Sequence, residues 1–295
     1  MLFTTTFSII GYDRENNELG VAVQSKFLSV GSLVPYVEGG VCAIASQAKT
    51  NSSFGKKGAT LIKSGLNAQE ALNILLENDK DKEIRQVGII DKDGNTAAYT
   101  GKKCYPFAGY KIGKNYICQG NVLLGPVVLD EMAKGFENSD GDLAEKLMNA
   151  LEAAQNAGGE KRGQESAAIL IKKITPNELL GESDTLVDLR VDEHISPISE
   201  LKRLLQRHRV EYASNYSDKF LPFKGDTRYL VIELLLKTKI ISKNLEKDET
   251  IEEILIRLGD SLKIQDAFKN NFINGKLVEW IVNQYYILQE KEYNK

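Results

Sequence analysis

The sequence predicts an α+β fold in which two packed β-sheets carry helices on their outer faces, followed by a small all-helical domain. Within residues 1–212 the predicted elements come in groups: strands, a helix pair, strands, a second helix pair and strands again. Each sheet must bury an apolar face against another layer, so this order favours two sheets packed together beneath helices. Residues 227–292 carry apolar side chains at helical spacing, which predicts the helical domain.

Three strands are predicted at the start of the chain. Residues 4–12 are rich in β-branched and aromatic side chains, and residues 19–25 resume that pattern after a polar turn, which predicts a hairpin. Residues 40–47 are nearly all apolar, as in a strand that is buried on both faces.

The first predicted helix pair occupies residues 55–64 and 67–78. The second of these helices begins with Asn67 and has Glu70 three residues on, which is the pattern of a capping box. The later predicted elements, in chain order, are a hairpin at 84–101, a strand at 115–119, a helix from about Gly125, a helix at 142–158, strands at 166–174 and 186–194, and a helix at 196–209.

The length of 295 residues favours one large domain and one small one. The predicted division is a sandwich domain at 1–212, a polar linker at 213–226 and the small helical domain at 227–295. A formal net charge of −3 argues against nucleic-acid binding, which needs clustered Lys and Arg. A small-molecule substrate is the expected partner.

Cysteine usage and the first residues predict a cytoplasmic protein. The three cysteines form neither an even disulfide set nor a CxxC pair, so reduced thiols are expected. The chain does not open on a signal-like segment, and no apolar run reaches the roughly 18 residues of a membrane span. It has no phosphate loop, and its two histidines lack neighbours at metal-ligand spacing. Neither a cofactor nor a metal is expected.

Thr6 is the candidate nucleophile. A hairpin that turns at residues 13–18 pairs positions whose numbers sum to roughly 31, so Thr6 should face Ser25, with Lys26 one step away. A threonine hydroxyl becomes a nucleophile when a base takes its proton, and a nearby ammonium would stabilise the alkoxide. The alternative is that Thr6 is only a good strand former and Lys26 a solvated strand end.

The segments VAVQSKF, CQGN and RGQESA are the most specific motifs of the chain, and other segments accompany them: FSIIGYDRENNELG, ASQAKTNSSFGKKG, RQVGIID, YTGKKC and LVDLRVDEHISPISELKRLL. Taken in chain order, from about Thr6 to Leu205, they resemble family 1028 of the domains of unknown function. Members of this bacterial family are assigned to the N-terminal-nucleophile (Ntn) hydrolase fold. The resemblance implies a four-layer α-β-β-α sandwich with a threonine nucleophile.

The residues before Thr6 depart from the family pattern. Members usually begin Met-Thr-Phe-Ser, so that loss of the initiator Met exposes the threonine that corresponds to Thr6, whereas this sequence has MLFTT before it. Three explanations stay open: cleavage of the chain after Thr5, a start codon assigned too early, or a threonine that is not an N-terminal nucleophile.

If the resemblance extends to activity, two groups of residues would line the site. Gln119, Gly120 and Asn121, at the end of a predicted strand, would offer donors for the oxyanion of an acyl-transfer intermediate. Gln47 and Asn51, after the third strand, would line the same cleft. The alternative for both groups is a polar turn that closes a strand.

The segment GGEKRGQES would form a tight loop beside this cleft because its glycines permit one. Arg162 would clamp a substrate carboxylate, and Gln164 and Ser166 would hold an amide. A structural ion pair between Arg162 and a buried acid is the alternative.

The last 70 or so residues resemble a small domain that is appended to many members of the family and associated with peptidoglycan, with LKIQDAFKNNFINGKLVEWI as the matching part. Without a signal peptide the domain should not meet the cell wall, so peptidoglycan is not expected as a partner. A role in packing or in forming a homodimer is the default expectation.

The predicted activity is hydrolysis of a C–N bond, amide or amide-like, in a small substrate that bears a carboxylate. The alternatives are a non-catalytic binding or scaffold protein on the same fold, and a peptidase.

Overall fold

The computed structural model describes residues 3–174, 184–241 and 250–293. Contacts between residues divide the chain into two compact units, Met1–Leu201 and Lys202–Lys295. Both units combine helices with antiparallel strands, so the protein is a mixed α+β protein.

The first unit contains two antiparallel sheets. The five-stranded sheet has the order β1-β5-β6-β7, with β4 also paired to β5; its strands are β1 (Phe3–Thr4), β4 (Pro35–Glu38), β5 (Cys42–Lys49), β6 (Arg85–Asp91) and β7 (Thr96–Thr100). The six-stranded sheet has the order β11-β10-β3-β2-β9-β8; its strands are β2 (Thr6–Asp13), β3 (Glu18–Ser25), β8 (Gly109–Gly113), β9 (Tyr116–Gly120), β10 (Ser166–Lys173) and β11 (Thr185–Val191).

The hairpin of β2 and β3 has the predicted register. Thr6 lies opposite Ser25, and the pairing continues without a shift to Asp13 opposite Glu18. The side chain of Asp13 accepts hydrogen bonds from the backbone N–H groups of Glu15 and Asn16, which closes the turn. The sequence pattern did not predict β1, β4 or β8.

Helices cover the five-stranded sheet on one face. They are α1 (Ser53–Lys63) and α2 (Ala68–Glu77). The predicted capping box is present, because Asn67 accepts from the backbone of Glu70 and the Glu70 side chain accepts from the backbone of Asn67. The apolar faces of the two helices bury Phe54, Leu72 and Leu75 with β5 and β6.

Two further helices, α3 (Val127–Glu137) and α4 (Leu143–Asn156), contact the six-stranded sheet. A Cβ on Gly11 would lie 3.0 Å from the side chain of Leu147, and a Cβ on Gly20 would lie 2.9 Å from it. These two glycines face each other across β2 and β3, so their lack of a side chain lets α4 approach the sheet closely.

The remaining face of each sheet is buried against the other sheet. The shared core contains Ile10, Val21, Val23, Ala43 and Ile90, all fully buried. Residues on each strand alternate between this core and the helix side, as the pleat of a strand requires.

The second unit contains α6 (Gly225–Lys237), α7 (Ile251–Ser261) and α8 (Gly275–Tyr293); α5 (Pro197–Glu211) begins in the first unit. The prediction that the small domain is all-helical is wrong, because three short strands form an antiparallel sheet: β12 (Phe220–Pro222), β13 (Phe268–Lys269) and β14 (Phe272–Asn274).

The turn between β13 and β14 explains this error. Asn270 and Asn271 have φ values of 51° and 64°, and two left-handed residues in succession form the tight turn of a hairpin. Asparagine tolerates this conformation better than most residues, so the Asn-Asn pair interrupts the helical spacing around it. The part of the predicted helix at 242–249 lies outside the described residues.

Candidate active site

The segment before Thr6 crosses from one sheet to the other. Phe3 and Thr4 pair with Lys49 and Ala48 in the five-stranded sheet, whereas Thr6 begins β2 in the six-stranded sheet. The segment Phe3–Thr5, called the leader here, therefore passes through the space between the sheets at Thr5. Thr5 is 4% exposed and Thr6 is fully buried.

Three groups meet at the peptide bond between Thr5 and Thr6. The Thr6 hydroxyl donates a hydrogen bond to Oγ of Ser25 at 3.2 Å, and the Ser25 hydroxyl donates to the Thr5 carbonyl oxygen at 2.5 Å. A donor on a carbonyl oxygen withdraws electron density from the carbonyl carbon. The candidate nucleophile thus lies beside a polarised carbonyl that belongs to its own preceding residue.

The side chain of Thr5 occupies a pocket around Glu160. Oε1 of Glu160 accepts from the Thr5 hydroxyl and from Nε of Arg162, each at 2.6 Å. Oε2 accepts from the backbone N–H of Lys26 at 2.7 Å. Arg162 also donates to the Thr5 hydroxyl and to the Lys26 carbonyl. Glu160 is 2% exposed and the Arg162 side chain is 45% exposed, so the leader is held by an ion pair whose carboxylate is buried.

The environment of Glu160 alters its acidity. Burial raises the pKa of Glu160, although the hydrogen bonds from Thr5, from the Lys26 backbone and from Arg162 act in the opposite direction. The ionised carboxylate is therefore less favoured here than in water.

Lys26 has a different immediate partner from the one that the sequence predicts. Its ammonium lies 3.3 Å from the carboxylate of Glu165, and its side chain is 41% exposed. The Thr6 hydroxyl contacts Ser25 instead. The electrostatic role of Lys26 toward Thr6 stays a prediction.

Amide side chains form a buried network next to Thr6. Gln86 is at its centre: its amide nitrogen donates to the carbonyls of Gly109 and Gly120 at 3.0 and 2.9 Å, and its amide oxygen accepts from Gln47 and Asn121 at 2.8 and 3.1 Å. Each of these three amide side chains is at most 1% exposed. Burying so many amides requires partners for them, and the network supplies most of those partners.

The proposed oxyanion donors are engaged in this network. Gln119 donates to Ser8 at 3.2 Å and to the Ala45 carbonyl at 3.0 Å, while the backbone N–H of Asn121 donates to the Thr6 carbonyl at 3.0 Å. The structure thus brings Gln47, Gln119, Gly120 and Asn121 together near Thr6. The oxygen Oε1 of Gln119 is buried and has no hydrogen-bond partner among the described residues.

The other candidates have local contacts. Asn51 accepts from the backbone and the hydroxyl of Ser53 at the start of α1, as a turn residue does. Ser166 donates to the Phe27 carbonyl and accepts from the backbone of Val30, so it orders the turn after β3. Gln164 is half-buried.

Sequence reasoning missed Thr5, Ser8, Gln86 and Glu160. Gln86 carried a usable signal, because it is a polar residue at the start of the otherwise apolar strand QVGII. Glu160 lies inside GGEKRGQES, but the local pattern there predicts no role for it. Its partner Thr5 is 155 positions away, and no local pattern connects the two.

The cysteines do not compete with Thr6 as nucleophiles. All three are free thiols. Burial raises the pKa of Cys42 to about 12 and that of Cys104 to about 11, and burial raises the pKa of Cys118 as well. Reactive cysteines need the thiolate, which is scarce at neutral pH when the pKa is raised.

The part of the chain that the structure describes has neither a metal-binding cluster nor a membrane-spanning helix. No group of three or more His, Cys, Asp or Glu side chains there is arranged to hold a metal ion. No helix among these residues combines the length and apolar character needed to span a membrane.

These features define an α+β protein with a buried polar cluster between two sheets. The model of the family of unknown function DUF1028 matches residues 6–201, and the chain belongs to this family. No curated protein matches the chain.

Several solved structures are similar to the chain, and two of them are described below. Protein SPO2555 from Silicibacter pomeroyi, which carries the DUF1028 family model, is 30% identical, with a TM-score of 0.63; the match covers 70% of this chain and 89% of that protein. The Anbu (ancestral beta-subunit) protein from Yersinia bercovieri is 10% identical over 70% of this chain and 96% of its own, with a TM-score of 0.34. A likeness as weak as the second supports no conclusion about this chain.

Proposed function

We propose that this protein is an Ntn-type hydrolase that cleaves an amide or amide-like C–N bond with Thr6 as its nucleophile. The two sheets with a common core, each contacted by a helix pair, are what a four-layer α-β-β-α sandwich requires. The observation that carries the proposal is the arrangement of the Thr6 hydroxyl, Ser25 and the Thr5 carbonyl.

Exposure of Thr6 as an N-terminal residue follows from the same arrangement. The Thr6 Oγ attacks the Thr5 carbonyl carbon; the Oγ–C bond forms, the C–N bond between Thr5 and Thr6 breaks, and the hydroxyl proton passes to the amine. Ser25 stabilises the developing oxyanion through its hydrogen bond. Water then hydrolyses the ester, which leaves a carboxylate on Thr5 and a free α-amine on Thr6.

The exposed α-amine completes the catalytic apparatus. It is the base that takes the proton of the Thr6 hydroxyl when a substrate amide binds. Acyl transfer then repeats the chemistry of the first cleavage, and water releases the acyl product. The reaction needs neither a metal nor an organic cofactor. A carboxylate on the substrate stays a prediction. Arg162, which was predicted to bind it, is already bound to Glu160, and its side chain is 45% exposed.

Intact-mass measurement and N-terminal sequencing of the expressed full-length chain test the proposal. We expect the protein to begin at Thr6, and Thr6→Ala to keep the leader and to lose turnover of an amide library by at least about a thousandfold. Thr6→Ser should retain cleavage, because it keeps the hydroxyl.

The control variant is Thr227→Ala. Thr227 is a fully buried threonine of α6 in the second unit, where its hydroxyl donates to the Gln206 carbonyl. This variant should lose stability but still begin at Thr6. If the unmodified protein keeps its leader and Thr6→Ala turns over the same amides at the same rate, the protein is a binding or scaffold protein instead.

A further inference from the structure

We propose that the pocket of Glu160, Arg162 and the Lys26 backbone is the acyl-side subsite of this hydrolase. In this role it selects substrates whose residue on the acyl side of the cleaved bond is threonine or serine. The inference rests on the proposed function and names its substrate class: amides of N-acylated hydroxy amino acids.

The chemistry of leader removal makes the leader a guide to the substrate. When Thr6 attacks the Thr5 carbonyl, the intermediate is an ester between the Thr6 oxygen and the acyl group of Thr5. An acyl-enzyme formed from a peptide amide that ends in threonine has the same covalent structure. Whatever surrounds Thr5 before cleavage therefore surrounds the acyl group of such a substrate.

The surroundings of Thr5 are specific for a hydroxyl group. Its Oγ1 donates to Glu160 at 2.6 Å and accepts from Arg162, so both hydrogen-bonding functions of the hydroxyl are used. Glu160 and Arg162 have opposite charges and bind each other, which leaves a pair without net charge for the ligand to meet. Such a pocket favours a neutral hydroxyl over an ammonium or a carboxylate.

The pocket is also built to reject an apolar side chain. Glu160 is 2% exposed, and its second oxygen is already held by the Lys26 backbone. A valine in place of the threonine would remove one hydrogen bond from a buried carboxylate and put nothing in its place. Loss of a hydrogen bond to a buried charged group should lower the rate roughly ten- to a hundredfold.

Strand pairing sets the direction of the bound acyl chain. The backbone of Phe3 and Thr4 pairs antiparallel with Lys49 and Ala48 of β5. A departing leader frees these backbone groups, and an extended peptide can pair with them by adding a strand. The subsite thus suits a peptide-like acyl group of at least three residues.

The test uses chain that was expressed at full length and begins at Thr6. Its substrates are a matched series of acetyl-Phe-Thr-Xaa p-nitroanilides, in which Xaa is Thr, Ser, Val or Ala. We expect kcat/KM for Thr and Ser to exceed that for Val by about tenfold or more, because valine has the shape of threonine without the hydroxyl. Glu160→Gln should reduce the Thr-to-Val ratio toward one.

The control variant is Asp79→Asn. Asp79 is also a largely buried carboxylate, with a side chain 10% exposed, and it lies 2.7 Å from Nε of Arg85. It follows α2 in the chain and has no contact to Thr5 among its described bonds. This variant should retain the Thr-to-Val ratio of the unmodified protein. Replacement of Thr5 within the full chain is a second test: Thr5→Ser should lose its leader normally and Thr5→Val more slowly by a similar factor.

The outcomes separate the two proposals. If the expressed chain keeps its leader and cleaves no anilide, the hydrolase proposal fails, and the subsite with it. If the chain begins at Thr6 but cleaves none of the anilides, the subsite inference alone is overturned. If the anilides are cleaved but valine is accepted as well as threonine, the subsite inference is overturned while the hydrolase stands. A Thr-to-Val preference that survives Glu160→Gln also overturns it, because another group would then recognise the hydroxyl.

Discussion

The space between the two sheets has an apolar end and a polar end. On β2 the residues that face this space are Ile10 and Tyr12 at one end, and Thr6 and Ser8 at the other. Hydrophobic side chains such as Ile10 and Val21 form the apolar end, whereas the polar end contains the buried amides of Gln47, Gln86 and Asn121 in one network. Both ends are built by the same strands and are equally buried.

The two ends differ in how much their buried side chains stabilise the fold. Apolar side chains gain free energy on burial at about 25 cal/mol per Å². Buried amides gain little, because they exchange hydrogen bonds with water for hydrogen bonds within the protein. A fold that needed only stability would fill both ends with hydrophobic residues. The polar end, which holds the candidate nucleophile, is therefore the candidate for a functional site.

Replacing Ile10 by alanine should cause the largest loss of stability. Ile10 is fully buried in the core between the sheets, and removal of three carbons leaves a cavity. The free energy of unfolding should fall by about 2–5 kcal/mol, and Ile10→Val should cost only about 0.5–1.5 kcal/mol. Urea unfolding measures both values. Protein that remains folded should still begin at Thr6; a blocked Thr5–Thr6 cleavage in folded Ile10→Val would show that the two ends are not separate.

Replacing Gln86 by leucine should impair cleavage at Thr6 more than the Ile10 variants do and stability less than Ile10→Ala does. The variant keeps the side-chain volume but removes one hydrogen-bond partner each from Gln47, Asn121 and the Gly120 carbonyl. We expect a loss of about 1–3 kcal/mol in the free energy of unfolding, and cleavage at Thr6 slowed by about tenfold or more because Asn121 and Gln47 both contact the Thr6 carbonyl. Urea unfolding and the time course of leader loss by mass spectrometry measure these effects. Cleavage at the normal rate would mean that the network is only structural.

The smallest expected effects concern the pH dependence of stability, because the pKa values of two carboxylates are shifted in opposite directions. Burial raises the pKa of Glu160, so the folded protein holds this proton more tightly than the unfolded chain does. Its contribution to stability therefore falls as the pH rises from its ordinary pKa through the raised one. Burial also opposes ionisation of Asp79, but hydrogen bonds from Arg85 and the Asp81 backbone lower its pKa. Its contribution is present above its ordinary pKa and is lost as the pH falls through the lowered one.

The free energy of unfolding in urea, measured between about pH 3 and pH 7 for Glu160→Gln, Asp79→Asn and the unmodified protein, compares the two carboxylates. The cost of Asp79→Asn should grow as the pH rises, whereas the cost of Glu160→Gln should shrink. Equal trends for the two variants would show that Arg162 compensates the burial of Glu160 as fully as Arg85 compensates that of Asp79.

Elements of the fold whose signals are local could be predicted from the sequence. The turn at residues 13–18 set the register that places Thr6 opposite Ser25, and Asn67 with Glu70 set the start of α2. Alternation and helical spacing located most of the remaining elements of the first unit. These signals act over a few residues, where turn geometry and capping decide the conformation.

The composition of the candidate site depends on long-range contacts that the sequence pattern does not predict. Thr5 meets Glu160 across 155 positions, and Gln86 meets Asn121 across 35. Such contacts depend on which strands become neighbours, and hydrophobic pattern alone does not specify the polar residue that completes a buried network. The same holds for the leader, whose pairing with β5 carries Thr5 between the sheets. The sequence pointed to Thr6 and Ser25, and the fold added Thr5, Gln86 and Glu160 to them.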